Sequence, residues 1–213
     1  MSSKYDAVLY DLDGTLTDSI PLIMRCFHLA YEDVLGGCSR SDEDMMSYIG
    51  KPLMDTFADN HDPETARKLF DAYLRINEEM LRNDELELFP GVMDSLIRLH
   101  DAGVRQGIVT SKRRTSLAIT IECKRMGYLF EQQTVLEDTK EHKPAPSPLF
   151  YSAEKMGITD MSRIIYVGDA LVDYQCALNA GADFALVDWT RMNRKDFETP
   201  GMPRVIKSLD ELL

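Results

Sequence analysis

The chain predicts an α/β fold, a doubly wound and mainly parallel sheet that carries an inserted all-helical domain, and two observations lead there. From about residue 90 onward, short apolar runs alternate with helical patterns that close on glycines, while residues 16–85, just after the first apolar run, show helical signals only. Strictly alternating β and α segments imply parallel strands covered by helices on both faces. A chain of 213 residues is long enough for one such domain with a modest insertion.

Tyr5 to Tyr10 reads as the first strand, stopping at the acidic loop Asp11-Leu12-Asp13-Gly14-Thr15. A helix follows from near Ser19, with Pro21 in its first turn and Ile23, Phe27, Ala30, Tyr31 and Val34 at helical spacing, until Gly36-Gly37. Ser41 with Asp42, Glu43 and Asp44 has the form of an N-cap and acidic first turn, Gly50-Lys51-Pro52 punctuates, and Pro63 to Leu81 is a long amphipathic helix. Beyond Phe89-Pro90-Gly91 the expected order is as follows: helix Val92–His100 closed by Gly103, strand Arg105–Thr110, helix Thr115–Met126 closed by Gly127, and strand Gln133–Leu136. Helix Pro146–Met156 closed by Gly157, strand Ile164–Val167, helix Leu171–Asn179 closed by Gly181, and Phe184–Val187 as the last strand complete it. The domain division expected from this pattern is a core of residues 1–15 and 86–213 with a helical domain at 16–85.

Composition narrows the functions. A net charge of −12 opposes binding to nucleic acid and to anionic lipid, which both call for basic patches. An anionic substrate would be repelled too, so its site needs a divalent cation, a lysine or backbone N–H groups. The cysteines Cys26, Cys38, Cys123 and Cys176 lack zinc-site spacing and read as thiols. No stretch approaches the roughly 18 apolar residues of a membrane span. The start MSSKYDAVLY lacks the form of a secretory signal, so the expectation is a soluble, cytoplasmic protein.

Ligands of open parallel sheets bind outside the carboxyl ends of the strands. The residues following the strands are Asp11 and Asp13, Thr110 and Ser111, Lys143 in the loop beyond the third, and Asp169. Asp11 and Asp13 are two apart, so both carboxylates share a side where the chain stays extended. Gly14 permits a close turn. Lys143 lies in Lys-Pro-Ala-Pro-Ser-Pro, a stiff setting unlike that of a solvated surface lysine. Thr110 and Ser111 are also candidate N-caps of the next helix, a position that suits phosphate. Asp173 stands one helical turn after Asp169. Three carboxylates at two strand ends suit magnesium, which takes oxygen ligands and bridges to phosphate. The plainer alternatives, turn-forming aspartates and a capping Asp169, explain single residues and not the set.

In this order the residues resemble the haloacid dehalogenase superfamily: Asp11-Leu12-Asp13-Gly14-Thr15 matches its first motif, Thr110 with Ser111 its second, Lys143 its third, and Gly168-Asp169 with Asp173 its fourth. The helical stretch has the position and size of that superfamily's cap, and the alternating region corresponds to its Rossmann-like core. Thr110-Ser111-Lys112, Lys143 to Leu149 and Val187-Asp188-Trp189-Thr190 look like the phosphoglycolate phosphatase and inorganic pyrophosphatase branch. The resemblance implies that Asp11 is the nucleophile and a magnesium ligand, and that Asp13 is the general acid and base with its backbone carbonyl on the metal. It further implies that Thr110, Ser111 and Lys143 hold phosphoryl oxygens, that Asp169 completes the metal shell, and that Asp173 supports it. Ala170 departs from the polar residue many relatives carry. The implied reaction is hydrolysis of a small phosphorylated metabolite through an aspartyl-phosphate. Lys51 and Arg25 are weak candidates for substrate choice in the helical domain, and oligomeric state is open.

The rivals are dehalogenation, which Asp13 and Asp169 argue against, and a phosphonatase, which would use Lys51 as its amine. A pyrophosphatase, a sugar-phosphate mutase and a non-catalytic protein on the same fold complete the field.

Overall fold

The computed structural model describes residues 4–49, 53–197 and 202–213. In chain order the strands and helices are β1 (Ala7–Tyr10), β2 (Thr17–Asp18), α1 (Ile20–Leu35), α2 (Asp42–Met46), α3 (Leu53–Ala58), α4 (Pro63–Arg82), β3 (Glu87–Leu88) and α5 (Val92–Asp101). Then come β4 (Gln106–Val109), α6 (Arg114–Cys123), β5 (Gln132–Thr134), α7 (Ser147–Lys155), β6 (Ile164–Gly168), α8 (Leu171–Ala180), β7 (Asp183–Val187) and β8 (Arg204–Ile206). The chain divides into two compact units, residues 1–18 with 87–213, and residues 19–86.

The larger unit is built on a six-stranded sheet in the order β5-β4-β1-β6-β7-β8, every neighbouring pair parallel. Both faces are covered. Val8, Tyr10, Ile165 and Val167 face one core with Leu96 and Leu99 of α5 and Leu117 of α6, while Ala7, Leu9, Ile164 and Tyr166 face another with Leu149 and Ala153 of α7 and Ala177 of α8. Strands buried on two sides must be apolar throughout, which is why β1 and β6 read as continuous runs. Each fully buried Leu, Ile or Val contributes roughly 1.5–3 kcal/mol. The chain leaves β1 toward β4 and β5, then returns to the other flank of β1 as β6. The crevice at such a reversal is where ligands of these sheets lodge, and Asp11 and Asp169 stand on its two sides.

The smaller unit is all-helical. Asp44 N–H donates to Ser41 Oγ at 3.1 Å and Ser41 N–H donates to Asp44 Oδ2 at 3.3 Å, closing the capping box at the start of α2. Asp62 Oδ1 accepts from Glu64 and Thr65 N–H, each at 3.1 Å, and starts α4. Phe27 at the centre meets Tyr48, Phe57 and Tyr73 with ring centroids 5.5, 5.8 and 4.9 Å away. Aromatic pairs of this kind add about 0.5–1.5 kcal/mol each beyond the area they bury.

Several expectations are corrected. The sheet does not end at Val187, because β8 pairs Leu186 with Val205 and Val187 with Ile206. Only Ile206 of that three-residue strand is buried, so no apolar run announces it. β2 and β3 form a small antiparallel pair, Thr17 opposite Leu88 and Asp18 opposite Glu87, too short to leave a periodic signal. The helix ending near residue 126 is not closed by Gly127: α6 stops at Cys123, Arg125 takes the left-handed conformation at φ 53°, and Gly127 opens a 3-10 turn. Thr110 and Ser111 do not cap α6, whose N-cap is Arg113. No helix among the described residues is long and apolar enough to cross a membrane, and the four cysteines form no disulfide.

Candidate active site

β1 delivers Asp11 to the sheet edge, where its N–H donates to Val167 O of β6 at 2.8 Å. Leu12 is fully buried in the core, so the aspartates on either side of it turn away from that core. Asp11 is 6% exposed. The chain then reverses at Gly14, which has φ +83° and lies so close to Asp169 that a Cβ there would stand 2.3 Å from Asp169 Oδ2. Only glycine satisfies both demands. Gly168 has the same kind of role at the end of β6, since a Cβ there would meet Asp173 Cβ at 2.6 Å.

Asp11, Asp169 and Asp173 are all buried, and one carboxylate oxygen from each lies within 4.8 Å of the other two. Asp169 is not a helix cap. Ala170 occupies the cap position of α8, and Asp173 Oδ2 accepts from Ala170 N–H at 3.1 Å and Asp169 N–H at 3.3 Å. The N–H of the apolar residue at 170 is thus served by the Asp173 carboxylate, and Asp169 keeps its own carboxylate for the crevice, where Thr15 Oγ1 donates to it at 3.3 Å.

One ammonium answers these three carboxylates. Lys143 Nζ donates to Asp173 Oδ1 at 2.6 Å and to the Tyr166 hydroxyl at 3.2 Å. It lies 3.0 Å from Asp11 Oδ1. That distance is an ion pair without hydrogen-bond alignment, and Asp11 Oδ1 is a buried oxygen with no hydrogen-bond donor. The loop holding Lys143 is pinned to α8, with Asn179 Nδ2 donating to Pro144 O at 2.9 Å and Cys176 Sγ to Ala145 O at 3.1 Å.

The charges do not balance, and the acidities say so. Burial raises the Asp11 carboxyl to about 7 against the pull of Lys143, with Asp173 and Asp13 adding to the rise. Burial, then Asp173 and Asp11, hold Asp169 well above the usual carboxylate range. Burial works to lower Lys143, yet Asp11 and Asp173 outweigh it and keep the ammonium charged. Three buried carboxylates around one lysine retain net negative charge, which a proton or a divalent cation would relieve. The all-oxygen donor set suits a hard cation such as magnesium.

Asp13 is turned elsewhere. Lys112 Nζ donates to both of its oxygens, at 3.0 and 3.1 Å. Thr110 is 5% exposed and its Oγ1 accepts from Lys112 N–H at 3.1 Å. Thr110, Ser111, His142 and Lys143 line one small cleft.

The profile of the haloacid dehalogenase-like hydrolases matches residues 8–187 of the chain. The chain belongs to that family. It is an enzyme, a hydrolase of the family's phosphatase type. Two curated members are each named pyrophosphatase PpaX: one from Bacillus velezensis is 31% identical, covering 99% of this chain and 95% of its own, and one from Bacillus pumilus is 30% identical, covering 99% and 96%. Among solved structures, a Bacteroides fragilis protein described as a haloacid dehalogenase-like hydrolase superposes with a TM-score of 0.86 at 26% identity, covering 98% of this chain and 100% of its own. CbbY from Rhodobacter sphaeroides, solved in complex with phosphate, shares the fold with a TM-score of 0.78 at 20% identity, covering 98% and 96%.

Within the dehalogenase-like core the structure brings Asp11, Lys143, Asp169 and Asp173 into one charged cluster and Thr110 and Ser111 to the cleft beside Lys143. The Asp13 carboxylate lies outside the tight carboxylate group and inside the reach of Lys112. Arg25 is engaged with Glu85 at 2.8 Å in the helical unit. Lys51 falls outside the described residues. Two contacts of the site lie beyond the sequence reading. Lys112 stands in the Thr-Ser-Lys string two residues past the strand-end threonine, and that place is the signal for its contact with Asp13. Tyr166 lies in an apolar strand, where nothing marks a hydroxyl that reaches Lys143. A cleft of about 470 Å³ in the helical unit is lined by Glu32, Asp33, Glu79 and Glu85 against Arg75, a poor receptor for an anion.

Proposed function

We propose that the protein is a magnesium-dependent phosphatase that transfers the phosphoryl group of a small phosphorylated metabolite to Asp11 and then to water. The observation that carries this is the buried Asp11 carboxylate, ion-paired with Lys143 at 3.0 Å and within the Asp11, Asp169 and Asp173 cluster. Magnesium held by Asp11 and Asp169, with the Asp13 backbone carbonyl, would neutralise charge on the phosphoryl oxygens when bound. Asp11 attacks phosphorus, and the bond to the leaving oxygen breaks as Asp13 supplies it a proton. Asp13 then takes a proton from the water that hydrolyses the acyl phosphate. Lys143, Thr110 and Ser111 hold the transferring oxygens, and Asp173 keeps Lys143 in place. Residues 1–15 and 86–213 form the catalytic domain in this reading and 16–85 the helical cap; the cytoplasm is its compartment.

Phosphoglycolate-like monoesters are the first substrate class to consider. A second reading, hydrolysis of inorganic pyrophosphate, is favoured by the names of the two curated relatives. Phosphate release from p-nitrophenyl phosphate, phosphoglycolate, pyrophosphate and hexose phosphates, with and without EDTA, tests both. Activity that survives chelation, or in Asp11→Asn, would remove the proposal.

A further inference from the structure

The loop that follows β7 takes no part in the chemistry proposed above, yet it grips the two acidic loops at once. Trp189 Nε1 donates to Thr15 O at 2.9 Å, and Thr190 Oγ1 donates to Asp169 O at 2.8 Å. The two donors are consecutive residues, and the two acceptors belong to the segments that carry Asp11 and Asp169. We infer that Trp189 and Thr190 are positioning residues that set the separation of these carboxylates, and so the affinity of the site for a divalent cation.

The brace is itself fixed. Asp188 N–H donates to Ile206 O of β8 at 2.8 Å, and Thr190 N–H donates to Val187 O at 3.3 Å. The Thr190 hydroxyl accepts from Met192 N–H at 3.0 Å, which leaves its own proton for Asp169 O. The Trp189 ring packs against Phe89, centroids 6.0 Å apart, and Arg191 forks onto Asp18 at 3.0 and 2.6 Å. Each loop has bonds of its own, Gly14 N–H to Thr17 O and Leu16 and Thr17 N–H to Leu12 O, all at 2.9 Å, but the direct link between the two loops, Thr15 Oγ1 to Asp169, is 3.3 Å long. Carboxylates without a cation push each other apart, while magnesium accepts oxygens only near 2.0–2.1 Å. Displacing either loop by a few tenths of an ångström therefore weakens binding without unfolding the sheet.

This inference rests on the metal-dependent reading, and the experiment separates the two. Mn²⁺ is titrated into the metal-free protein and followed by its electron paramagnetic resonance signal, in wild type, Trp189→Phe, Thr190→Val and Thr190→Ser. The expected result is one tight Mn²⁺ in wild type and Thr190→Ser, at least fivefold weaker binding in Trp189→Phe and Thr190→Val, and unaltered far-ultraviolet circular dichroism in all four. Equal affinity across the series overturns the inference and leaves the phosphatase reading standing. No Mn²⁺ bound by wild type overturns both. Should Thr190→Val fail to fold, Trp189→Phe, which keeps an aromatic ring toward Phe89 but loses the donor and part of the indole's bulk, decides.

Discussion

Lys112 holds both carboxylate oxygens of Asp13, at 3.0 and 3.1 Å, through a side chain that is only 9% exposed. The contact ties the residue proposed to move protons to the loop after β4, whose Thr110 lines the cleft beside Lys143. Its direction is also a separation of labour, because Asp11 and Asp173 turn to Lys143 instead.

Replacing Lys112 with Met should therefore lower kcat by about tenfold, a fraction of the 10²–10⁴ that a positioned acid–base group supplies, while KM for p-nitrophenyl phosphate moves less. Steady-state kinetics at saturating Mg²⁺ checks this. An unchanged kcat would mean that Asp13 does not depend on the lysine.

Lys143→Met should be far more damaging. It removes the single ammonium from among Asp11 and Asp173, both buried, and stripping one partner from a buried ion pair destabilises by about 3–5 kcal/mol. The urea midpoint of the metal-free protein should drop accordingly, and kcat should fall by about a thousandfold or more. A variant as stable as wild type would show that the carboxylates take up protons without penalty.

Much of this site was legible because three of its residues directly follow a strand, and strand ends are where apolar runs stop. Asp11, Thr110 and Asp169 announce themselves in that way, and Lys143 stands out through its prolines. What escaped lies where neighbours decide. Arg204–Ile206 is a strand because β7 offers it an edge, and Tyr166 reaches Lys143 because a strand buried on both faces aims alternate side chains at α7 and α8. Arg125, just past the end of α6, takes a conformation that glycine favours, so the glycine two residues later is not the residue that closes the helix. The Asp13 contact needs a lysine from a different strand end, 99 residues away, and no local pattern encodes that meeting.

The raised acidities set a pH dependence with a definite sign. The Asp11 carboxyl, at about 7 in the folded protein, lies above its ordinary value near 4, and Asp169 is shifted the same way. Below about pH 4 both states carry the proton and the folded state loses nothing. From there to about pH 7 the unfolded chain ionises first, so this contribution to metal-free stability is progressively lost. A cation that binds the ionised cluster should restore it over the same window. Mg²⁺ at a hundred times its Kd contributes about 2.7 kcal/mol, or roughly 5–10 °C in a protein of this size. The Mg²⁺-induced rise in Tm should be small at pH 5 and reach that range at pH 8; a rise as large at pH 5 as at pH 8 would contradict the assignment.

Gly14 offers the sharpest steric test of the loop separation. Its φ of +83° already disfavours any side chain, and the added methyl of Gly14→Ala would lie 2.3 Å from Asp169 Oδ2 and 2.6 Å from its Cγ. Backbone in that region is strained by about 1–3 kcal/mol for a residue with a Cβ, and the clash is with a carboxylate that cannot retreat far, since Asp169 is 2% exposed and its own carbonyl is held by Thr190. Either the turn opens or the Asp169 side chain rotates out of the cluster, and both outcomes separate it from Asp11. The Mg²⁺ concentration for half-maximal activity should rise at least tenfold, alongside a urea midpoint lowered by the strain alone. A variant with the wild-type metal requirement would show that Asp169 stands off the cation, whatever its distance from Asp11.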